Sequence, residues 1–380
     1  MGAEWQRGFD LDYLKQFGAL FKDAHKPLVF GAFGLTKERD VADYLARDRA
    51  IWTGAPPQAV ALFSVAKAAS EQHDYAQRAI PIGQGAVVVR SFAARAAEAG
   101  AKVLSALVAR SEGRAVWLEI FEEDPAARAA AAAAGFSYVA TKISAGSEIK
   151  GLYCLGIEPP VPPLGAAERA ALLVLKPEFL SKPEAAAIRA EVAAYESAFA
   201  QHYSDYNKRK SWTAFALRGY QDDPGFIIKP AEMSKSWKEE HPELMKAKPR
   251  WTSVADAFPA TRKAIGRLGV EFDRVRFMRL RAKDGELSRH ADITDRSAGV
   301  ADGMLARLHV PISTSDAVTF YGWGDRGERL AYQFKERSLF YLDQRKPHAV
   351  TNTDPALDRV HLVMDCVSGP KLRKLIEAAA

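Results

Sequence analysis

Cysteine is scarce in this chain of 380 residues, which holds only Cys154 and Cys366. Both stand in apolar, strand-like surroundings and read as two buried, reduced thiols rather than a disulfide framework. Long apolar runs are missing too. No stretch of about 18 residues is continuously apolar, so no transmembrane helix and no membrane partner are expected. The opening residues lack the basic-then-apolar layout of a signal peptide. Gln6 stands where an N-myristoylation pattern needs Ser or Thr. A soluble, cytoplasmic protein is predicted. What remains is ordinary globular composition, 48% hydrophobic and 26% charged, long enough for about two domains.

Charge of one sign is in excess only in part of the chain. Residues 1–158 carry 18 basic and 18 acidic side chains, so the net +6 belongs entirely to the remainder. That mildly favours anionic substrates or partners. The division falls at Glu158-Pro-Pro-Val-Pro-Pro163, where four prolines favour an extended, semi-rigid spacer. The expected organisation is a first domain over 1–158, a Pro-rich linker over 159–165 and a second domain over 166–380.

The chemistry concentrates near the C-terminus, in three pairs with one residue between their members: His290 and Asp292, Arg307 and His309, Arg359 and His361. On a strand, residues two apart share a face. His290 and Asp292 can therefore reach one metal ion, joined by His348 from a later strand. Two imidazoles and one carboxylate form the facial triad that suits non-heme Fe(II) and leaves positions open for a cosubstrate and O2. The carboxylate of Asp292 speaks against a halogenase, which needs that position for chloride. An oxygenase of this kind takes two electrons from an organic dicarboxylate, and a buried arginine is its natural partner. Arg359 begins the apolar run Val360–Met364, 11 residues after His348, and one short turn should lay its strand beside that of His348.

Five segments in order, Arg274–Arg279, His290–Asp292, Arg307–Ile312, Leu342–Asn352 and Arg359–Asp365, resemble the aspartyl/asparaginyl β-hydroxylase-like branch of the Fe(II)/2-oxoglutarate oxygenases, which includes some free-proline hydroxylases. The resemblance covers roughly residues 205–368. It implies a double-stranded β-helix (a jelly roll, cupin-like) with Fe(II) on His290, Asp292 and His348 as the catalytic and metal residues. It also implies 2-oxoglutarate anchored by Arg359 and contacted by Arg307 and His309. An ion pair within the protein is the other reading of Arg307. His361 shares the face of Arg359, and either lines the pocket or packs behind it.

Strands are expected over 213–218, 275–280, 306–312, 318–321, 338–342 and 360–365, after an Ala-rich helix over 183–201. The segment Ser211–Arg218 looks like the family's early substrate-facing strand, with Trp212 or Arg218 placed for a substrate carboxylate or ring; a core strand with a surface arginine is the plain alternative. Residues 207–251 interleave basic side chains with Trp212, Trp237 and Trp251. Such a mixture can bind nucleic acid through phosphate contacts and stacking, or can be a solvated loop with anchoring tryptophans.

The N-terminal half alternates α and β. A helix is expected over 10–24, strands over 60–66 and 86–90, a long helix over 91–110, a strand over 116–121, a helix over 126–134 capped by Asp124, and a strand over 138–143. This order resembles a GNAT-like acetyltransferase fold. Glycine is missing, however, from Val89–Ala96, where that fold's loop would hold the CoA pyrophosphate. The fold is expected here without acetyl-CoA chemistry.

The sequence thus predicts an α+β protein: a GNAT-like α/β domain followed by an oxygenase domain. That domain would hydroxylate an unactivated C–H bond of an amino-acid side chain, free, peptide-bound or conjugated, and release succinate and CO2. A nucleic-acid oxygenase and a non-catalytic binding protein with a relict metal site are the other readings. The oligomeric state has no signal in the sequence.

Overall fold

The computed structural model describes residues 30–31, 49–54, 58–144, 146–156, 161–202, 204, 206–293 and 295–380. The helix expected over 10–24 and residues 159–160 of the proline-rich spacer lie outside them. Two compact units result: residues 1–144, 148–163 and 325–328, and residues 145–147, 164–324 and 329–380.

The first unit contains β1 (Phe30–Gly31), β2 (Ala50–Thr53), β3 (Ala59–Val65), a hairpin of β4 (Ser70–His73) and β5 (Ala79–Ile82), β6 (Val87–Ala94), α1 (Ala97–Arg110), β7 (Val116–Phe121), α2 (Pro125–Ala133), β8 (Ser137–Ile143) and β9 (Ile149–Leu155). Its main sheet runs β2-β3-β6-β7-β9-β8, with β1 against β6. The pair β6 and β7 is parallel, a connection that needs a crossover, and α1 supplies it. Val103, Leu104 and Leu107 of α1 are buried against Phe92, Ala94 and Val116 of the sheet. The long helix expected from residue 91 begins instead at Ala97. Ser91–Ala94 continue β6 because they pair with Ala59–Leu62 of β3 while Phe92 and Ala94 are fully buried. In α2, Asp124 caps as expected, accepting from the Ala126 amide at 2.8 Å. Gly151 of β9 is required by close approach: the buried Glu122 carboxylate lies over it, 1.9 Å from where a Cβ would stand.

The second unit contains β10 (Leu172–Lys176), α3 (Lys182–Ala194), β11 (Ala200–Gln201), β12 (Trp212–Gly219), β13 (Arg250–Trp251), α4 (Pro259–Gly266), β14 (Phe272–Leu280), β15 (Gly285–His290), β16 (Leu305–Ser313), β17 (Val318–Trp323), β18 (Arg329–Tyr332), β19 (Leu339–Leu342), β20 (His348–Asn352), β21 (Arg359–Val367) and α5 (Pro370–Glu377). A large sheet runs β10-β19-β16-β21-β14-β12-β11, with β13 on β12, and a small sheet runs β15-β20-β17-β18. Strict alternation on the central strands separates two environments. Phe215, Val275, Leu308 and Met364 face α3, α4 and α5 in one core. On the opposite face, Ala214, Met278 and Val363 meet Leu287, Phe320 and Val350 of the small sheet in a second core. This is the two-sheet arrangement of a jelly roll.

The sequence misplaced two features of this unit. The helix expected over 183–201 ends at Ala194, because Phe199 turns inward to pack edge-on against Phe215 at 4.8 Å and Ala200–Gln201 pair with β12. The strand of Arg359 does not lie beside that of His348. β20 belongs to the small sheet and β21 to the large one, so residues 353–358 cross between sheets. Asn352 ties that crossing down, its amide donating to the carbonyls of Leu280, Arg281 and Leu357.

Candidate metal centre

His290 ends β15 and stands opposite His348, which begins β20. On β15, Leu287 and His290 both face the cavity although they are three residues apart, because a bulge between them shifts the register against Val350 and His348. Asp292 lies beyond the end of the strand, so the same-face argument for His290 and Asp292 does not position it. Its amide donates to the Gln344 carbonyl at 2.8 Å, and its carboxylate accepts from Arg307 at 2.7 Å. The result brings one ligand atom each from His290, Asp292 and His348 within 4.8 Å of one another.

The imidazoles are prepared for a cation. Nδ1 of His290 donates to the Ser288 carbonyl at 2.8 Å, and Nδ1 of His348 donates to the Lys346 carbonyl at 2.9 Å. Each bond fixes the tautomer and leaves the Nε2 lone pair bare. Tyr206 stacks on the His290 ring at 4.1 Å and holds its plane. Burial drives His290 down to about 3, with His348 adding to the effect and Asp292 opposing it. Burial likewise lowers His348. Burial pushes Asp292 upward, but Arg307 and both imidazoles outweigh it and hold the carboxyl below the usual range. Two neutral imidazoles and a carboxylate, with open space in front, fit a divalent metal.

That space is a cavity of about 290 Å³ between the two sheets. Its floor is written across three strands. Arg274 stands opposite Asp365, and Asp365 opposite Arg307; Arg276 stands opposite Val363, and Val363 opposite His309. Asp365 is fully buried and accepts from Arg274, Arg276 and Arg307 at 2.8–2.9 Å. Arg307 is therefore spent between Asp292 and Asp365, the ion-pair alternative to its expected contact with 2-oxoglutarate.

Arg359 differs. It is 3% exposed and has no carboxylate partner among the described residues. One Nη donates to Nδ1 of His361 at 2.9 Å, and its Nε has no partner. Burial alone pulls it down to about 9. Neither ring nitrogen of His309 has a partner among the described residues either. A buried guanidinium and a buried imidazole, both unsatisfied and both lining one cavity, fit an organic carboxylate.

The remaining expected residues separate. Trp212 lines the cavity and stacks on His202 at 3.6 Å. His361 does not line it; fully buried behind Arg359, it orients that guanidinium. Arg218 does not line it either. A bulge between Ala216 and Arg218 sends Arg218 to the far face, where it donates to the Phe272 carbonyl and lies over Trp251. The tryptophans considered for nucleic acid are engaged by their own chain: Trp237 stacks on His241, and Trp251 takes the guanidiniums of Arg218 and Arg262. Sequence reasoning missed Tyr206, Arg276 and Asp365 as parts of the site. The i, i+2 spacing of Arg274 and Arg276 could have found the arginines, whereas Tyr206 comes from a loop with no periodic signal.

Residues 182–368 match the family model described as Aspartyl/Asparaginyl beta-hydroxylase. No curated protein matches the chain. Among solved structures, an oxidoreductase of the 2OG-Fe(II) oxygenase family from Burkholderia pseudomallei is 11% identical over 50% of this chain and 81% of its own, with TM-score 0.32. A prolyl-4-hydroxylase from Pseudomonas putida is 12% identical over 50% and 90%, with TM-score 0.29. A prolyl hydroxylase from Trichoplax adhaerens, in complex with a hypoxia inducible factor oxygen degradation domain peptide fragment, is 10% identical over 53% and 86%, with TM-score 0.32. Similarity this low assigns no activity to the chain. By the family match, the C-terminal part is a 2-oxoglutarate-dependent hydroxylase domain.

Proposed function

We propose that His290, Asp292 and His348 hold Fe(II), and that the chain hydroxylates an unactivated C–H bond of an amino-acid side chain, free or within a peptide. The observation that carries this reading is one cavity lined both by three converging metal donors and by Arg359, which is buried without a counter-ion among the described residues. Bound Fe(II), with 2-oxoglutarate and O2, supplies the oxidising power for hydroxylation and leaves succinate and CO2.

The protein's own residues bind, orient and exclude water. Arg359 takes the far carboxylate of 2-oxoglutarate, set in place by His361, while His309 offers a ring nitrogen alongside. Arg307 holds the Asp292 carboxylate in the orientation the metal needs, and Asp365 holds Arg307. Trp212, Met278 and Leu287 give the cavity its apolar lining. The first unit is proposed to be GNAT-like: β6, α1 and β7 form the parallel crossover expected of it, and β6 enters α1 through Arg95-Ala96 with no glycine to cradle a pyrophosphate. Two buried free thiols and a ferrous centre suit the reducing cytoplasm.

Anaerobic addition of Fe(II) and 2-oxoglutarate tests the centre. A weak visible charge-transfer band is expected, absent from His290→Ala. In Arg359→Ala, 2-oxoglutarate turnover should collapse while metal binding persists. A folded, metal-free protein that gives no band returns the chain to the binding-protein reading, and unchanged turnover in Arg359→Ala would sink the cosubstrate assignment.

A further inference from the structure

Asp292 alone among the three metal donors stands outside a strand. No ladder of strand hydrogen bonds therefore sets where its carboxylate lies. Its amide donates to the Gln344 carbonyl at 2.8 Å, and its own carbonyl accepts from the Asp295 amide at 3.2 Å. Three residues on, Asp295 is 6% exposed. Its carboxylate accepts from the Gln344 side-chain amide at 2.9 Å and from the Lys229 ammonium at 2.7 Å. Gln344 thus grips this loop twice, by its main chain at Asp292 and by its side chain at Asp295. Lys229 completes the arrangement from a position 66 residues before Asp295 in the chain.

Lys229 is itself buried, and a second carboxylate, Asp273, stands 4.0 Å from its ammonium, beyond hydrogen-bond distance. A buried lysine–aspartate pair contributes little net stability, because the loss of hydration offsets the attraction. What such a pair supplies is a fixed arrangement of the segments it joins. Here one segment carries a metal donor, and groups that orient metal ligands from behind tune how tightly the metal is held. The other segment faces the cavity. Ile227 and Ile228 line it, and the Ile227 carbonyl accepts from Arg274 and Arg276 at 3.4 and 3.3 Å. Lys229 therefore joins a wall of the cavity to the loop of Asp292.

We propose that Lys229 is a positioning residue of the metal centre: through Asp295 and Gln344 it fixes the loop that aims the Asp292 carboxylate at the metal. Lys229 does not line the cavity, so it acts through that loop and not on the metal or the substrate. Arg307 turns the Asp292 carboxylate directly; Lys229 sets the main chain from which that carboxylate reaches out. The inference rests on the reading of His290, Asp292 and His348 as the metal site.

The test uses the full chain with Co(II) alone, whose visible bands report coordination geometry, so that the readout is a spectrum and an affinity and not turnover. The unmodified protein should bind Co(II), and His290→Ala should not. Lys229→Met keeps the length of the side chain and removes its charge; it should weaken Co(II) binding roughly ten- to a hundred-fold and shift the bands. Lys229→Arg restores a cation and should recover part of both. Leu372→Ala opens a gap in the helix-facing core and controls for lost stability; it should lower the thermal midpoint and leave bands and affinity unchanged. A folded Lys229→Met with the bands and affinity of the unmodified protein overturns the proposal, and so does Leu372→Ala shifting the bands as far as Lys229→Met does. A second measurement needs no variant. Coupling between two places is reciprocal, so Co(II) should slow hydrogen exchange at the amides of residues 226–232 by roughly tenfold. Exchange there left unchanged, while exchange around His290 and His348 slows, overturns the proposal whatever the variants' folding. No Co(II) binding by the unmodified protein would instead strike at the metal reading, and this inference would fall with it.

Discussion

At the scale of single residues, Asp365 decides the polar floor. It is buried on a strand whose flanking residues, Met364 and Cys366, belong to the helix-facing core. Burial disfavours its charge, yet three guanidiniums outweigh that and hold it ionised. Removing one partner of a buried ionic cluster costs more than the cluster is worth, because the rest are left uncompensated. Asp365→Asn should therefore lower stability by about 3–5 kcal/mol in denaturant unfolding. Adding Arg276→Gln to it should restore part of the loss, because the excess positive charge then falls. Full additivity of the two changes would show that they do not share the cluster. Nothing in the sequence announced Asp365 beyond its spacing from Arg359. Its role exists only because β14 and β16 flank β21 and bring arginines to it from both sides.

At the scale of elements, small irregularities of the strands decide what faces the cavity. The bulge in β15 carries His290 to the inner face with Leu287, and the bulge in β12 carries Arg218 away from it. A period of two, read from sequence, foresees neither. Gly285 opens β15 at a turn where a Cβ would stand 2.1 Å from the Arg281 carbonyl oxygen, so the entry to the metal-bearing strand admits only glycine without rearrangement. The crossing from β20 to β21 is pinned by the three bonds from Asn352, which is fully buried. Asn352→Ala leaves those carbonyls without their donor and should cost about 2–4 kcal/mol, with weaker retention of 2-oxoglutarate because Arg359 begins the strand after the crossing. A stability change below about 0.5 kcal/mol would mean that the crossing is held by other contacts.

At the scale of the molecule, the second unit buries five histidines: His202, His290, His309, His348 and His361. Burial lowers every one of them, to about 3 for His290. Unfolded histidine titrates near 6.5, so below that pH the unfolded chain binds more protons than the folded one. The stability these residues confer is thus complete above about pH 6.5 and is lost as pH falls toward 3. For metal-free protein, the guanidinium midpoint should drop steadily from pH 7 to pH 4. A midpoint unchanged over that range would show that the imidazoles take up protons without unfolding. Fe(II) should raise this curve without flattening it, because the metal takes Nε2 atoms that the folded protein already keeps unprotonated while the unfolded chain still takes up protons.

Much was fixed by sequence alone. The alternation of polar and apolar residues in Arg274–Met278, Arg307–His309 and Arg359–Asp365 already separates an ionic face from an oily one, because a strand's side-chain period admits no other distribution. The donor set His290, Asp292 and His348 was legible for another reason, since their chemistry belongs to the side chains themselves. What the tertiary structure decided was partnership. It placed His348 and Arg359 in opposite sheets, spent Arg307 on two carboxylates, hid His361 behind Arg359, and brought Arg274, Arg276 and Arg307 to one Asp365. These are matters of which strand lies beside which and where a bulge falls. They depend on contacts between residues far apart in the chain, which local spacing cannot specify.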